Sequence, residues 1–289
     1  MPTTVTDAEH TRAVLHDRRL RAAWYGLFLR FAALGGVVTL ITCVVVAETG
    51  GKDEDVLAYS LVPAGLLGLV ALFLAVLAHG RRLRHLAVVE LARFALERDF
   101  RFDDRLDPDE RAQLHPLRLI GVGHRHQLSD VLQGEALGHR LWAFRLTAEY
   151  PLTSSATNPR TGEPLDTAKA TFAVVAIDGL AVRPPAFRLL TKSVKPTARN
   201  ALIDGAPRVA EVPGLGSNFV LVSRDAAFLR EWLPCDFVAA CRCELGLSVE
   251  ACGDLLAVFG KVNAHDPGAI ERLLEHALWL ADLLARKAT

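Results

Sequence analysis

Four cysteines, Cys235, Cys241, Cys243 and Cys252, lie within 18 residues, and four histidines, His115, His124, His126 and His139, lie within 25. Thiolate and imidazole are zinc ligands, so both clusters are candidate metal sites. The cysteine spacing, C-x5-C-x-C-x8-C, has no C-x2-C pair, and a C-x-C on a helix turns its thiols to opposite sides. Buried structural thiols are the competing reading. If Gly123–Leu128 is extended, His124 and His126 share a face, with Asp130 or Glu135 available to complete a site. Polar histidines on a surface strand or loop are the alternative, and neither H-E-x-x-H nor H-x-E…C-x-x-C occurs. The expectation is no cofactor, with zinc at these residues as the alternative.

The segment Arg188–Arg199 carries Arg188, Lys192, Lys195 and Arg199 with no acid, the most basic window of the C-terminal part. It reads as a solvated loop or as a patch for anionic lipid or an acidic partner. Gly121-Val122-Gly123 and Gly214-Leu215-Gly216 lack the third glycine of a dinucleotide site and the Lys-Ser/Thr of a phosphate loop, so they read as turns. No G-x-S-x-G, S-x-x-K or kinase-like set is present. Ser129, Asp130 and His126 are neighbours in sequence, but a triad is a spatial arrangement. No catalytic residue is assigned.

The elements that hold these residues follow from charge and hydropathy. Across 289 residues, 33 Lys+Arg balance 33 Asp+Glu, and the pI is about 7.2. That argues against a nucleic-acid binder relying on overall basic charge. Apolar residues make up 51% and mean hydropathy is +0.24, which excludes disorder as the main state. The apolar residues are concentrated. Val56–Ala78 is a charge-free run of 23 residues, and Phe31–Ala47 is one of 17 that Trp24–Leu29 extends past Arg30. A helix of 23 residues spans about 35 Å, enough for a hydrocarbon core of about 30 Å. The connector Glu48–Asp55 has Gly-Gly for a turn, four acids and one lysine. Arg18, Arg19 and Arg21 precede the first run, and Arg81, Arg82 and Arg84 follow the second. The positive-inside rule then puts both termini in the cytoplasm of a cell with an inner membrane.

The expected fold is a membrane α-helical hairpin of two transmembrane helices plus a soluble α+β domain. Residues 1–23 read as a cytoplasmic N-terminal segment, 24–80 as the hairpin, 81–116 as a juxtamembrane helix and linker, and 117–289 as the cytoplasmic domain. Over 81–99, Leu83, Leu86, Ala87, Leu91, Phe94 and Ala95 form an apolar stripe. Residues 100–116 have linker composition, with a short helix starting at Asp107-Pro108. Strands are expected at Leu117–Val122, Arg140–Tyr150, Ala170–Ile177, Ala186–Leu190, Arg208–Val212 and Phe219–Ser223. Helices are expected after Asp225 and over Asp236–Cys243. A closing hairpin turns at Gly253-Asp254, and an amphipathic helix over Asp266–Arg286 ends the chain.

The segments GEALGHRLWAFRLTAEY (134–150), SNFVLVSRDAAFLREWLPCDF (217–237) and LSVEACGDLLAVFGK (247–261), with the terminal helix, resemble uncharacterised bacterial membrane proteins that pair two N-terminal spans with a cytoplasmic α+β domain. In those proteins the strand after the paired glycines reads aromatic-Asp-Tyr, whereas Ala143-Phe144-Arg145 has no Asp. The resemblance implies architecture and no catalytic residue. A ratio of 27 Arg to 6 Lys agrees with a GC-rich bacterial source. The functional expectation is a membrane-anchored interaction or assembly module, whose partners are the bilayer and a protein or a second copy, and not nucleic acid. The alternatives are a metal-dependent membrane enzyme and an oligomeric channel subunit, the latter disfavoured by the lack of acidic or basic residues within Val56–Ala78.

Overall fold

The computed structural model describes residues 5–49, 54–152, 166–203, 205–209, 212–243 and 246–286, with the side chains of 5, 6, 40, 42, 43, 46, 47, 49, 54–65 and 67 left out. The side chains of about the first half of the Val56–Ala78 run, the centre of the connector and the Cys43 side chain therefore lie outside the description. The chain divides into a helical unit, Arg12–Arg93, and a sheet unit made of Met1–Thr11 and Phe94–Thr289.

The helical unit is formed by α1 (Val5–Thr49) and α2 (Glu54–Glu97). α1 is one unbroken helix across the boundary expected near residue 23. Over Asp7–Thr39 it is long and apolar enough to cross a membrane by length and composition. Phe31, Leu34, Val38 and Ile41 are each more than half exposed on it. α2 carries the charge-free run and continues as helix to Glu97. Over 81–97 its buried residues are Val88, Val89, Leu91, Ala92, Phe94 and Ala95, whereas Leu83 and Leu86 are exposed, so the stripe begins about a turn later than the sequence suggests. The two helices run antiparallel. The Tyr25 ring stacks on His85 with centroids 5.6 Å apart, and Arg18 donates to His85 Nδ1 at 3.2 Å. Gly26 admits the Arg82 side chain; a Cβ there would lie 3.4 Å from its guanidinium carbon. At Gly35, Gly36 and Gly68 a Cβ would meet nothing within 4 Å, so these glycines mark no close helix approach among the described residues.

The sheet unit is an eight-stranded antiparallel sheet in the order β1-β2-β3-β4-β8-β7-β5-β6. Its strands are β1 (Arg101–Arg105), β2 (His124–Ala136), β3 (His139–Pro151), β4 (Thr167–Asp178), β5 (Phe187–Thr191), β6 (Phe219–Ser223), β7 (Leu247–Cys252) and β8 (Leu255–Gly260). The helices are α3 (Pro108–Leu114), α4 (Arg118–Gly121), α5 (Pro196–Ile203), α6 (Ala226–Trp232), α7 (Cys235–Cys243) and α8 (Pro267–Ala285). β4 is buried on both faces, which explains its near-continuous apolar sequence. One face, bearing Trp142, Phe144, Phe172, Val174 and Phe259, packs under Leu117 and Leu119 beside α4 and under Ala198 and Leu202 of α5. The other face, bearing Ala173 and Val175, is covered by α8, whose Ile270, Leu273, Ala277 and Leu280 are buried. Asp107, Asp225 and Asp266 accept backbone N–H groups and cap α3, α6 and α8.

Three expectations are corrected. Residues 100–116 are not a linker: Phe100 and Phe102 are buried, and β1 pairs with β2. Thr11 Oγ1 accepts the Phe102 N–H at 3.0 Å, and its own hydroxyl donates to the Asp7 carbonyl. Leu117–Val122 forms the short helix α4, because Leu119 and Ile120 bury adjacent side chains in one core where a strand would send them to opposite faces. Arg208–Val212 contributes a single bridge, Arg208 to Val222, with residues 210 and 211 outside the described set.

The Phe100 ring packs against Gly134 of β2. A Cβ at Gly134 would fall 2.1 Å from Phe100 Cδ1, so only glycine leaves room for the ring. Gly134→Ala is expected to cost about 1–3 kcal/mol by overpacking, read from denaturant unfolding of the full chain in detergent. In the Phe100→Ala background the same change should cost much less; equal costs would show that the ring is not the obstacle.

Candidate functional site: an arginine-lined cleft

At the β7-β5-β6 end of the sheet, the segment carrying α3 and α4 overhangs a cleft of about 420 Å³. Its lining includes Arg118, Arg188, Arg224 and Glu250, together with His115 and Cys252. The strand register puts these groups together. Arg188 of β5 stands directly opposite Glu250 of β7, and Arg224 follows β6, whose Ser223 is opposite Phe187.

Glu250 ties the overhang to the sheet. Its two carboxylate oxygens accept the backbone N–H groups of Arg118 at 2.7 Å and Leu119 at 2.9 Å. Burial pushes its carboxyl up, while those two N–H groups and then Arg188 and Arg118 pull it back. Burial pushes the Arg188 guanidinium down; Glu250 opposes this, and the charges of Arg118 and Arg224 act with burial. Ser223 also lines the cleft, but its hydroxyl donates to the Ala186 carbonyl and accepts from the Asp225 N–H. The Tyr150 hydroxyl is buried without a hydrogen bond among the described residues; burial and then Glu250 raise its pKa. Burial and then the Glu250 charge likewise push the Cys252 thiol up, so this cysteine is not an activated nucleophile.

A second polar cluster lies on the opposite face. β2 carries two bulges, each with a non-glycine residue at positive φ, Arg125 at 52° and Asp130 at 55°. At the second bulge Asp130 turns inward. Its Oδ2 takes Arg145 at 2.9 Å, His265 at 3.2 Å and the Ser129 hydroxyl at 3.3 Å. Arg145 also donates to Ser129 Oγ at 3.1 and 3.2 Å. Burial pushes the Asp130 carboxyl up, but His265, Arg145 and Ser129 outweigh it and hold the group below the usual carboxylate range. Serine and histidine hang on the same oxygen and not on each other, so this is an anchoring cluster and not a nucleophile–base pair.

The sequence-predicted residues distribute as follows. The bulge at Arg125 separates His124 from His126 and breaks the alternation that a shared face requires. His124 is exposed, while half-buried His126 donates from Nε2 to the Val122 carbonyl at 2.7 Å. Burial lowers the His126 pKa, with the Val122 bond opposing and the charges of Arg111 and His124 adding to it. Cys235 and Cys243 are exposed on α7, and Cys241 is buried, its thiol pushed up to about 12 by burial. Cys252 sits apart at the end of β7. Among the described residues no three His, Cys, Asp or Glu side chains group to hold a metal. Of the basic window, Arg188 alone lines the cleft; Lys195 donates to the Lys169 carbonyl at 2.8 Å, and Arg199 lies on α5. Arg118, Arg224 and Glu250 were not singled out from sequence. A glutamate between Val249 and Ala251 in a closing strand was the available signal, since a fully buried carboxylate demands partners.

Comparison with known proteins returns no matching family model, curated protein or solved structure.

The lowered Asp130 carboxyl stabilises the fold above the ordinary carboxylate pKa of about 3.9, and that contribution is lost as pH falls through the lower folded value. Asp130→Asn should therefore cost about 3 kcal/mol near pH 7, by leaving Arg145 poorly paired, and less near pH 3, where the contribution has begun to be lost. Unfolding midpoints of both proteins at the two pH values check this; a cost independent of pH would remove the charge argument.

Proposed function

We propose that the chain is a membrane-anchored recognition module. Two N-terminal helices cross a bacterial inner membrane as a hairpin, both termini lie in the cytoplasm, and the sheet unit binds a partner or assembles there. The observation that carries this reading is the outward apolar surface of the helices: Phe31 and Leu34 on α1 and Leu69, Leu72, Phe73 and Val76 on α2 are all more than 60% exposed. A contiguous apolar surface of this kind is costly in water and at home in lipid. Trp24, 72% exposed, has the amphipathic ring favoured at headgroup level, and the flanking arginines favour the cytoplasmic side. Anchoring confines the module to a thin layer beside the membrane and so raises its effective concentration toward membrane-bound partners.

Topology tests this reading most simply. A cysteine at Gly51, in a background without native cysteines, should react with an impermeant maleimide added to intact cells. A cysteine restored at exposed position 235 should react only after permeabilisation. Labelling of position 51 from the cytoplasmic side alone would contradict the hairpin. Recovery of one stoichiometric partner, or of a defined oligomer, from mild detergent would support recognition or assembly; a monodisperse monomer without partners would count against both.

A further inference from the structure

We propose that the groove between α1 and α2 formed by Ala23, Gly26, Leu27, Arg30 and Arg82 holds the phosphate of an anionic phospholipid, one whose headgroup carries no compensating ammonium. This rests on the anchoring reading and deepens it, from a bilayer that surrounds the helices to a lipid bound at one place. The groove has a volume of about 280 Å³, and of its five lining residues two are arginines and none is acidic. Arg82 of α2 reaches α1 at Gly26, where a Cβ would lie 3.4 Å from its guanidinium carbon and 3.5 Å from Nε. Arg30 stands four residues further along α1, on the same helix face as Gly26. The glycine thus lets one guanidinium settle against the α1 backbone, in the groove that the second guanidinium also borders.

Charge complementarity selects an anion. Among the described residues, neither Arg30 nor Arg82 makes an ion pair or a hydrogen bond through its side chain. The acids with described side chains in the helical unit are Asp17, Glu48 and Glu90. Asp17 pairs with Arg21 at 2.8 Å, and Glu90 with Arg93 at 3.4 Å. Glu48 is 18 residues beyond Arg30, about 27 Å along the helix. Arg30 also interrupts apolar sequence, between Leu29 and Phe31, where an unpaired guanidinium is costly. Guanidinium forks bind phosphate oxygens through paired, charge-assisted hydrogen bonds, and a phosphate between the two arginines offsets their mutual repulsion. The rest of the surface points to a lipid as its carrier. Leu27, Phe31 and Leu34 follow one another along α1 at helical spacing and are all exposed, a track on which an acyl chain can lie below the phosphate. A zwitterionic headgroup would bring an ammonium toward two arginines, so a headgroup with net negative charge is preferred.

The test reconstitutes the full chain in phosphatidylcholine vesicles carrying a trace of spin-labelled phosphatidylglycerol or, in parallel, spin-labelled phosphatidylcholine. The motionally restricted part of the spin-resonance spectrum gives the relative association of each lipid with the protein. Phosphatidylglycerol should be preferred at least about fivefold, the ratio that one arginine supplies beside an anionic headgroup. Arg30→Gln and Arg82→Gln should each remove most of that preference. Arg19→Gln takes the same charge from an exposed arginine outside the groove and should leave the preference nearly unchanged. Gly26→Leu keeps every charge but fills the groove and displaces Arg82, so it should also lose the preference; Arg30→Gln decides the matter if Gly26→Leu disturbs the hairpin. Equal losses from Arg19→Gln, Arg30→Gln and Arg82→Gln would show a diffuse field of flanking charges and overturn the site, as would a preference intact in both groove arginine variants. A restricted component of equal size with both lipids overturns the site and leaves the anchor standing. Absence of any restricted component with either lipid contradicts the anchor itself, and the site with it.

Discussion

A buried carboxylate must find hydrogen-bond donors, and Glu250 finds them in the first turn of α4. Its position opposite Arg188 in the sheet and its bonds to the N–H groups of Arg118 and Leu119, 132 and 131 residues away, join three parts of the chain. Breaking one side of such an arrangement leaves charge or polar backbone uncompensated in a low-dielectric interior. The consequence is architectural. The α3–α4 overhang is pinned to β7, Leu117 and Leu119 close over the aromatic face of β3 and β4, and the Arg118 side chain is delivered to the rim of a cleft that β5 and β6 line with their own arginines. Fold and candidate site share one fastening.

The opposite face uses a different device for the same problem. Asp130 adopts a left-handed backbone conformation at a bulge, which an aspartate tolerates better than most side chains. The bulge lets one extra residue of β2 turn its carboxylate inward, where Arg145 from the neighbouring strand and His265 from the approach to α8 meet it. The helix covering that face is thereby linked to the edge of the meander. Among the described residues each face of the sheet thus carries one buried acid, and each acid has partners distant in sequence.

Local signals in the sequence sufficed for much of this fold. β3 and β4 announce themselves by alternation and by a β-branched run, α6 and α8 by their capping aspartates, and the final hairpin by Gly253-Asp254. The failures have physical causes. β2 hides its alternation behind two bulges that reset the period, so only its beginning was considered as extended chain. Leu117–Val122 has strand-like residues, but Glu250 supplies a tertiary cap that stabilises a helical turn there. The segment 100–116 looks like a linker because β1 is a five-residue edge strand, half of it charged. The cleft was the least visible feature. Arg188 stands out in the sequence as part of a basic run, whereas Arg224 becomes its neighbour only through the β5–β6 pairing and Arg118 only through the bonds of α4 to Glu250. Cysteine and histidine counts pointed elsewhere because proximity in sequence is a poor guide to proximity in an antiparallel sheet of this connectivity.

Amide hydrogen exchange of the full chain, compared with its Glu250→Gln variant, tests the fastening most directly. Glutamine keeps one acceptor oxygen of the two and no charge. The account predicts faster exchange at Arg118 and Leu119 and through the α4 turn, with protection in β3 and β4 retained. Unchanged protection at Arg118 and Leu119 would contradict it, and would mean that α4 is held by its apolar contacts alone.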